Sequence, residues 1–167
     1  MQAGSLVWIP GAGQIPDFPS RPYSMCAAQE SGAMAIIEWN STLSVNIQQF
    51  DRQHMKLVDM INKLHEGIRA SNANEVLGEI INDLARYTTT HFADEEQIMA
   101  TYQYPDIAAH KAEHMEFSQQ VRKLELEFRA GQTIVPLGVM IFLKNWLVSH
   151  IQVCDKKLGI YLKEKGL

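Results

Sequence analysis

From residue 48 onward, apolar residues recur every three to four positions. Phe50, His54, Leu57, Val58, Ile61, Leu64 and Ile68 follow i, i+4, i+7, i+8 spacing and predict an amphipathic helix of about five turns. Ser71-Asn72-Ala73-Asn74 breaks the pattern and offers caps for the next helix. Leu77, Ile80, Leu84, Thr88, His91, Glu95 and Ile98 form a second stripe. Tyr102 to Asp106 reads as a stop and restart, with Pro105 suited to a first helical turn. Ile107, His110, His114, Phe117, Val121, Leu124 and Phe128 form a third stripe, closed by Gly131 as a C-cap. A fourth begins near Pro136 with Leu137, Met140, Ile141, Leu147, His150, Ile151, Cys154 and Leu158. Short connections force antiparallel neighbours, so the expected fold is all-α, an up-down-up-down antiparallel four-helix bundle. Ile36 to Val45, with Trp39, precede the first helix and are expected to pack along the bundle as an extended N-terminal arm.

Residues 1–33 carry prolines and glycines but neither a helical nor a strand period, and are expected to form a disordered or loosely ordered tail. The patterned bundle region is then 34–167, and Met34 is an alternative start. The run Leu6 to Pro10 is too short to span a membrane. No Lys or Arg precedes Arg21 and no long apolar core follows, so no signal peptide is expected. Gly11-Ala12-Gly13 lacks the strand and lysine of a phosphate loop and reads as a turn. A net charge of −4 argues against nucleic acid as a main partner, because phosphate binding needs a basic surface. Cys26 and Cys154 make neither a disulfide framework nor a metal knuckle, and a reducing cytoplasm suits such a chain.

The chain has six histidines, and five of them, His54, His91, His110, His114 and His150, interrupt apolar stripes. One such ring would be an ordinary satisfied core histidine; five spread over four helices need a common reason. His91 and Glu95 are four residues apart and project from one face, as do His110 and His114. His150 and Asp155 are five apart, about 140° around an ideal helix, which predicts a π-type turn near 151–155. Along alternately up and down helices, the early-late-early-late placement of these residues brings them all to one end of the bundle.

Five imidazoles and two carboxylates are too many for one tetrahedral zinc and suit a pair of bridged cations. Ligand type alone leaves iron, zinc and manganese open. A buried carboxylate is costly unless neutral, paired or metal-bound, and here there are two.

Asp51-Arg52-Gln53-His54, His91-Phe92-Ala93-Asp94-Glu95-Glu96, His110-Lys111-Ala112-Glu113-His114 and Trp146-Leu147-Val148-Ser149-His150-Ile151 with Asp155 closely resemble the bacterial hemerythrins. The resemblance covers about residues 36–163, with all seven ligand positions filled in order. It implies a non-haem di-iron centre that binds O2 reversibly. By that resemblance His110, His114 and His150 hold one iron, and His54 and His91 hold the other. Glu95 and Asp155 bridge the two, together with an oxo or hydroxo group, and the second iron keeps a position open for O2. Leu57, Phe92, Trp146, Leu147 and Ile151 match the family's pocket positions and would shield bound O2 from water. They also read simply as core. Ferritin-like di-iron enzymes use four carboxylates in E-x-x-H pairs; no such pair falls on an apolar stripe here, which favours carriage over oxidation.

Other residues read as bystanders. His65 lies about 16 Å along the helix from His54 and is out of reach. Cys154 reads as a small packing residue, and Asp94 and Glu96 as surface charges. Asp51 and Gln53 fit either a solvated helix start or hydrogen bonding to ligands. An oxygen carrier, store or delivery protein is the leading functional reading. An O2 or redox sensor acting through a partner, a peroxide or nitric-oxide scavenging enzyme, and a structural zinc protein stand as alternatives. The sensor reading lacks an output domain before Leu167. The enzyme reading lacks an evident acid or base in the pocket.

Overall fold

The structure is a computed structural model and describes residues 35–167. The expected tail, residues 1–33, and the alternative start at Met34 lie outside the described residues.

Four helical rods form the bundle. Helix α1 spans Gln48–Arg69, α2 Ala73–Thr101 and α3 Ile107–Arg129; the fourth rod is α4 (Pro136–His150), a π-turn (Ile151–Asp155) and α5 (Lys156–Glu164) without a break. No strand occurs among the described residues. Helix α1 packs against α2 and α4, and α2 against α3. The α3–α4 seam is filled by aromatic rings: Phe117 stacks on Trp146 at 3.9 Å and on Phe142 at 5.3 Å. The expected apolar stripes face inward. Phe50 and Leu57 of α1 are buried beside the histidines; at the other end Ile61 and Leu64 of α1 and Leu77, Ile80, Ile81 and Leu84 of α2 are essentially inaccessible. A fully buried Leu, Ile or Phe contributes about 1.5–3 kcal/mol, so this far end of the bundle anchors the fold while the near end holds polar residues.

Three helices end in the same way. The chain turns into the left-handed region at Ser71, Gln103 and Gly131 (φ 59°, 54° and 69°). The following amide then reaches back: Asn72 N to Gly67 O, Tyr104 N to Met99 O, and Gln132 N to Glu127 O, at 2.8–3.0 Å. These are Schellman closures. Glycine announced only the one at Gly131. Pro136 opens α4 as its first residue, where a missing amide proton costs nothing. Pro105 does not enter α3; it sits in the turn before Asp106. Asn72 occupies the N-cap position of α2, but its side chain makes no capping bond.

The arm packs as expected. Ile37, Leu43, Val45 and Ile47 are buried. Asn62 of α1 pins it, accepting from Ile36 N and Ile37 N and donating to Ile37 O. Val45 crosses α5 at Gly159, where an added Cβ would lie 2.5 Å from the Val45 carbonyl oxygen, so only glycine admits the arm. Asp51 accepts from Ser44 Oγ and Val45 N, which assigns it to the arm rather than to the histidine cluster.

Three stripe residues depart from the reading: Phe128 of the third stripe is exposed, and two members of the fourth turn outward. Leu137 and Ile141 are about half exposed, and Val139, Leu143 and Leu147 point inward instead. The rod Pro136–Glu164 is apolar and long enough to cross a membrane by itself. Leu143, Leu147, His150, Asp155 and Leu158 of this rod are buried within the bundle.

Candidate metal centre

All seven residues singled out as ligands converge at one end of the bundle. Each is no more than 3% exposed, which is unusual for charged and half-polar side chains. The π-turn brings Asp155 round to His150. An α-helix would carry residue i+5 about 140° away, but the wider turn at Ile151–Asp155 absorbs one residue and puts Asp155 Oδ1 3.1 Å from His150 Nε2.

Two adjoining groups of donor atoms result. Glu95, His110, His114, His150 and Asp155 form one; His54, His91, Glu95 and Asp155 form the other. Both carboxylates belong to both groups, and each turns one oxygen to each side. Asp155 Oδ1 faces His110 and His150 at 3.1 Å, while Oδ2 faces His54 at 3.1 Å. Glu95 Oε2 faces His114 at 3.2 Å and His110 at 3.5 Å, while Oε1 faces His91 at 3.8 Å.

These donors fit metal ions better than they fit one another. Both oxygens of Glu95 and of Asp155, and Nε2 of His54, His91 and His114, are buried without an aligned hydrogen bond. Nε2 of His110 and Nε2 of His150 approach to 3.2 Å. Buried polar atoms are normally satisfied, at a cost of about 1–3 kcal/mol for each that is not. Spacings near 3 Å are the edges of a polyhedron whose corners lie about 2.1 Å from a central cation.

The outer ring nitrogens show how the inner ones are held ready. Gln53 Nε2 donates to Asp94 Oδ2 at 2.6 Å, which turns Gln53 Oε1 toward His91 Nδ1 at 2.9 Å. An amide oxygen only accepts, so His91 carries its proton on Nδ1 and leaves an Nε2 lone pair facing inward. Glu96 Oε1 lies 3.4 Å from His114 Nδ1, and Glu113 Oε2 3.2 Å from His150 Nδ1. Asp94 and Glu96 are therefore not the idle surface charges expected: α1 and α3 bring partners to them that their own helix does not show. Gln53 is hydrogen-bonded to the His91 ring rather than only solvated at the helix start.

Burial and the two carboxylates pull the titration of the histidines in opposite directions. Burial pushes the His91 imidazole down to about 4, with Glu95 opposing only in part. Burial also disfavours charge on His110 and His150, but Asp155 and Glu95 outweigh it and lift these to about 9 and about 11. Burial and Asp155 oppose ionisation of Glu95, yet the surrounding histidines hold its carboxyl low; Asp155 is held low in the same way against its own burial. A cation held here would require the inner nitrogens of His110 and His150 unprotonated.

Aromatic rings roof the cluster. Phe92 stacks on His114 at 3.8 Å and Trp146 on His150 at 4.4 Å. Leu57, Leu147 and Ile151 are fully buried within one turn of His54 or His150. Tyr87, one turn before His91, was not anticipated. Its ring lies 4.8 Å from that of His91, and its hydroxyl is buried without a partner. Burial, then Glu95 and Asp155, push the phenol well above its usual range. His65 is partly exposed, with Nδ1 3.8 Å from Glu66, and joins neither donor group. Cys154 is half-buried.

A four-helix bundle whose core holds two donor groups joined by shared carboxylates defines a class: a helical carrier of paired metal ions. Comparison with known proteins narrows it. Residues 45–159 match the hemerythrin HHE cation binding domain. The chain is 36% identical over 130 residues to a bacteriohemerythrin of Stenotrophomonas maltophilia, covering 78% of this chain and 84% of that one. It is 36% identical over 127 residues to a bacteriohemerythrin of Methylococcus capsulatus, covering 75% and 96%. A crystal structure of wild-type hemerythrin superposes with a TM-score of 0.70 at 36% identity, covering 77% of this chain and 98% of that one. The chain belongs to the hemerythrin family.

Proposed function

We propose that this protein binds O2 reversibly at a non-haem di-iron centre and serves as an oxygen carrier, store or delivery protein of the cytoplasm. The observation that carries the reading is the sharing of Glu95 and Asp155, each with one oxygen toward each histidine group. His110, His114 and His150 would hold one iron and His54 and His91 the other, with the two carboxylates and an oxo or hydroxo group between them. When bound, the iron pair lends two electrons to O2 and recovers them on release.

The chain's own side chains make that exchange reversible. Five neutral imidazoles against two carboxylates favour the ferrous pair. Gln53 fixes the proton of His91 on its outer nitrogen, so the inner one is free to ligate. Phe92 and Trp146 lie flat on ligand rings and keep water from them. Leu57, Leu147 and Ile151 complete an apolar wall that supplies no proton. The activity resides in residues 34–167. O2 is the partner this site fits; the acidic chain offers nothing to nucleic acid, and the reading is of a binder rather than an enzyme.

The test is optical. Iron-loaded protein is reduced without oxygen, exposed to O2, then returned to an oxygen-free atmosphere. A visible charge-transfer band that appears with O2 and disappears on its removal is expected. Irreversible bleaching, or rapid peroxide turnover, would favour the scavenging enzyme instead.

A further inference from the structure

The two histidine groups differ in what stands behind them. On the three-histidine side, His150 Nδ1 faces Glu113 at 3.2 Å and His114 Nδ1 faces Glu96 at 3.4 Å, both carboxylates. On the two-histidine side, His91 Nδ1 faces the neutral amide of Gln53, and His54 Nδ1 has no partner. Every anionic partner of an outer ring nitrogen thus falls on one side. Glu113 is about half exposed and Glu96 about a quarter exposed, while the rings they touch are buried. Glu96 is also neutralised in part by Lys111, 2.7 Å away. No such cation is paired with Glu113 among the described residues.

A carboxylate that accepts from the outer N–H of a ligating imidazole draws that proton outward and makes the inner nitrogen a stronger donor. A stronger donor stabilises the higher oxidation state of the metal it holds. On the di-iron reading above, we propose that Glu113, seconded by Glu96, acts as a positioning residue. It holds the His150 ring in place and makes the three-histidine iron the more easily oxidised of the pair. Glu113 thereby sets how readily the centre gives up electrons and how tightly it keeps its iron. Exposure of Glu113 on the surface of α3 makes it accessible to change without disturbing the core, and glutamine has nearly the same helix propensity as glutamate.

Charge and orientation separate by substitution. Glu113→Gln keeps an accepting oxygen but removes the charge; Glu113→Ala removes both. Midpoint potentials of the iron-loaded proteins and iron release to a chelator are the readouts. Both variants are expected to shift the midpoint positive, Glu113→Gln by more than Glu96→Gln because Lys111 already blunts Glu96. Iron release is expected to accelerate about 10–100-fold in Glu113→Ala, and less in Glu113→Gln. Glu116→Gln, an equal charge change at an exposed site on the same helix, is expected to leave both readouts at wild-type values. A wild-type midpoint in Glu113→Gln, or an equal shift in Glu116→Gln, would overturn the proposal. Failure of the wild-type chain to hold an iron pair at all would instead overturn the di-iron reading on which it rests.

Discussion

Asp155→Asn is expected to abolish the paired iron site and to weaken the metal-free fold as well. Asp155 is 1% exposed and makes the closer contacts of the two carboxylates, with oxygens 3.1 Å from His54, His110 and His150. Asparagine fills the same space but carries no charge, and only one of its two terminal atoms accepts. It cannot face both histidine groups with an anionic oxygen, so bound iron should fall from about two ions per chain to at most one. Removing one partner of a buried ion pair costs about 3–5 kcal/mol, and denaturant unfolding of the metal-free chain at neutral pH should show a loss of that order.

The pH dependence of the metal-free protein should change with it. His110 and His150 titrate at about 9 and about 11 in the folded chain, against burial, because Asp155 and Glu95 stabilise their charged forms. Their folded values lie above the unfolded value near 6.5. The stabilisation they give is therefore complete below about pH 6.5 and is lost as pH rises through 9 to 11. The wild-type metal-free chain should lose stability across that alkaline window, and Asp155→Asn should lose much less. A variant as stable as wild type at pH 7, with the same alkaline profile, would contradict the arrangement described.

The second large effect contrasts two histidines of equal chemistry. His91→Ala removes a fully buried ring whose inner nitrogen has no protein partner and whose outer nitrogen is fixed by Gln53. It leaves the smaller donor group with His54 and two shared carboxylates, so iron on that side and the optical response to O2 should both be lost. His65→Ala removes a partly exposed ring about 16 Å along α1 from His54, and should leave iron content and the O2 response intact. Equal damage from both would mean that position relative to the cluster does not decide the role.

These predictions rest on features that differ in how plainly the chain announces them. The stripes of α1, α2 and α3 are legible because a buried helix face repeats every 3.6 residues whatever its partner. The convergence of the seven polar residues follows from the same period together with alternating direction. Even the π-turn is legible, since His150 and Asp155 five apart can meet only if the helix widens. Other features depend on what a neighbouring helix brings. Asp94, Glu96 and Glu113 lie beside ligands in sequence and look like solvated charges until Gln53, His114 and His150 arrive from other elements. Tyr87 reads as one more core aromatic until its unpartnered hydroxyl is seen beside His91. Leu137 and Ile141 mislead because an almost wholly apolar helix has no face that spacing alone can select. Ser71 and Gln103 end helices in a conformation that glycine would have signalled and they do not.

Iron content tests the central claim most directly. The full chain is loaded with ferrous iron in the absence of oxygen, freed of excess metal, and analysed for iron and zinc per polypeptide. The shared carboxylates between two histidine groups call for about two metal ions per chain, and the di-iron reading predicts that both are iron, with negligible zinc. About one zinc ion and no iron would contradict the di-iron centre and the oxygen chemistry built on it.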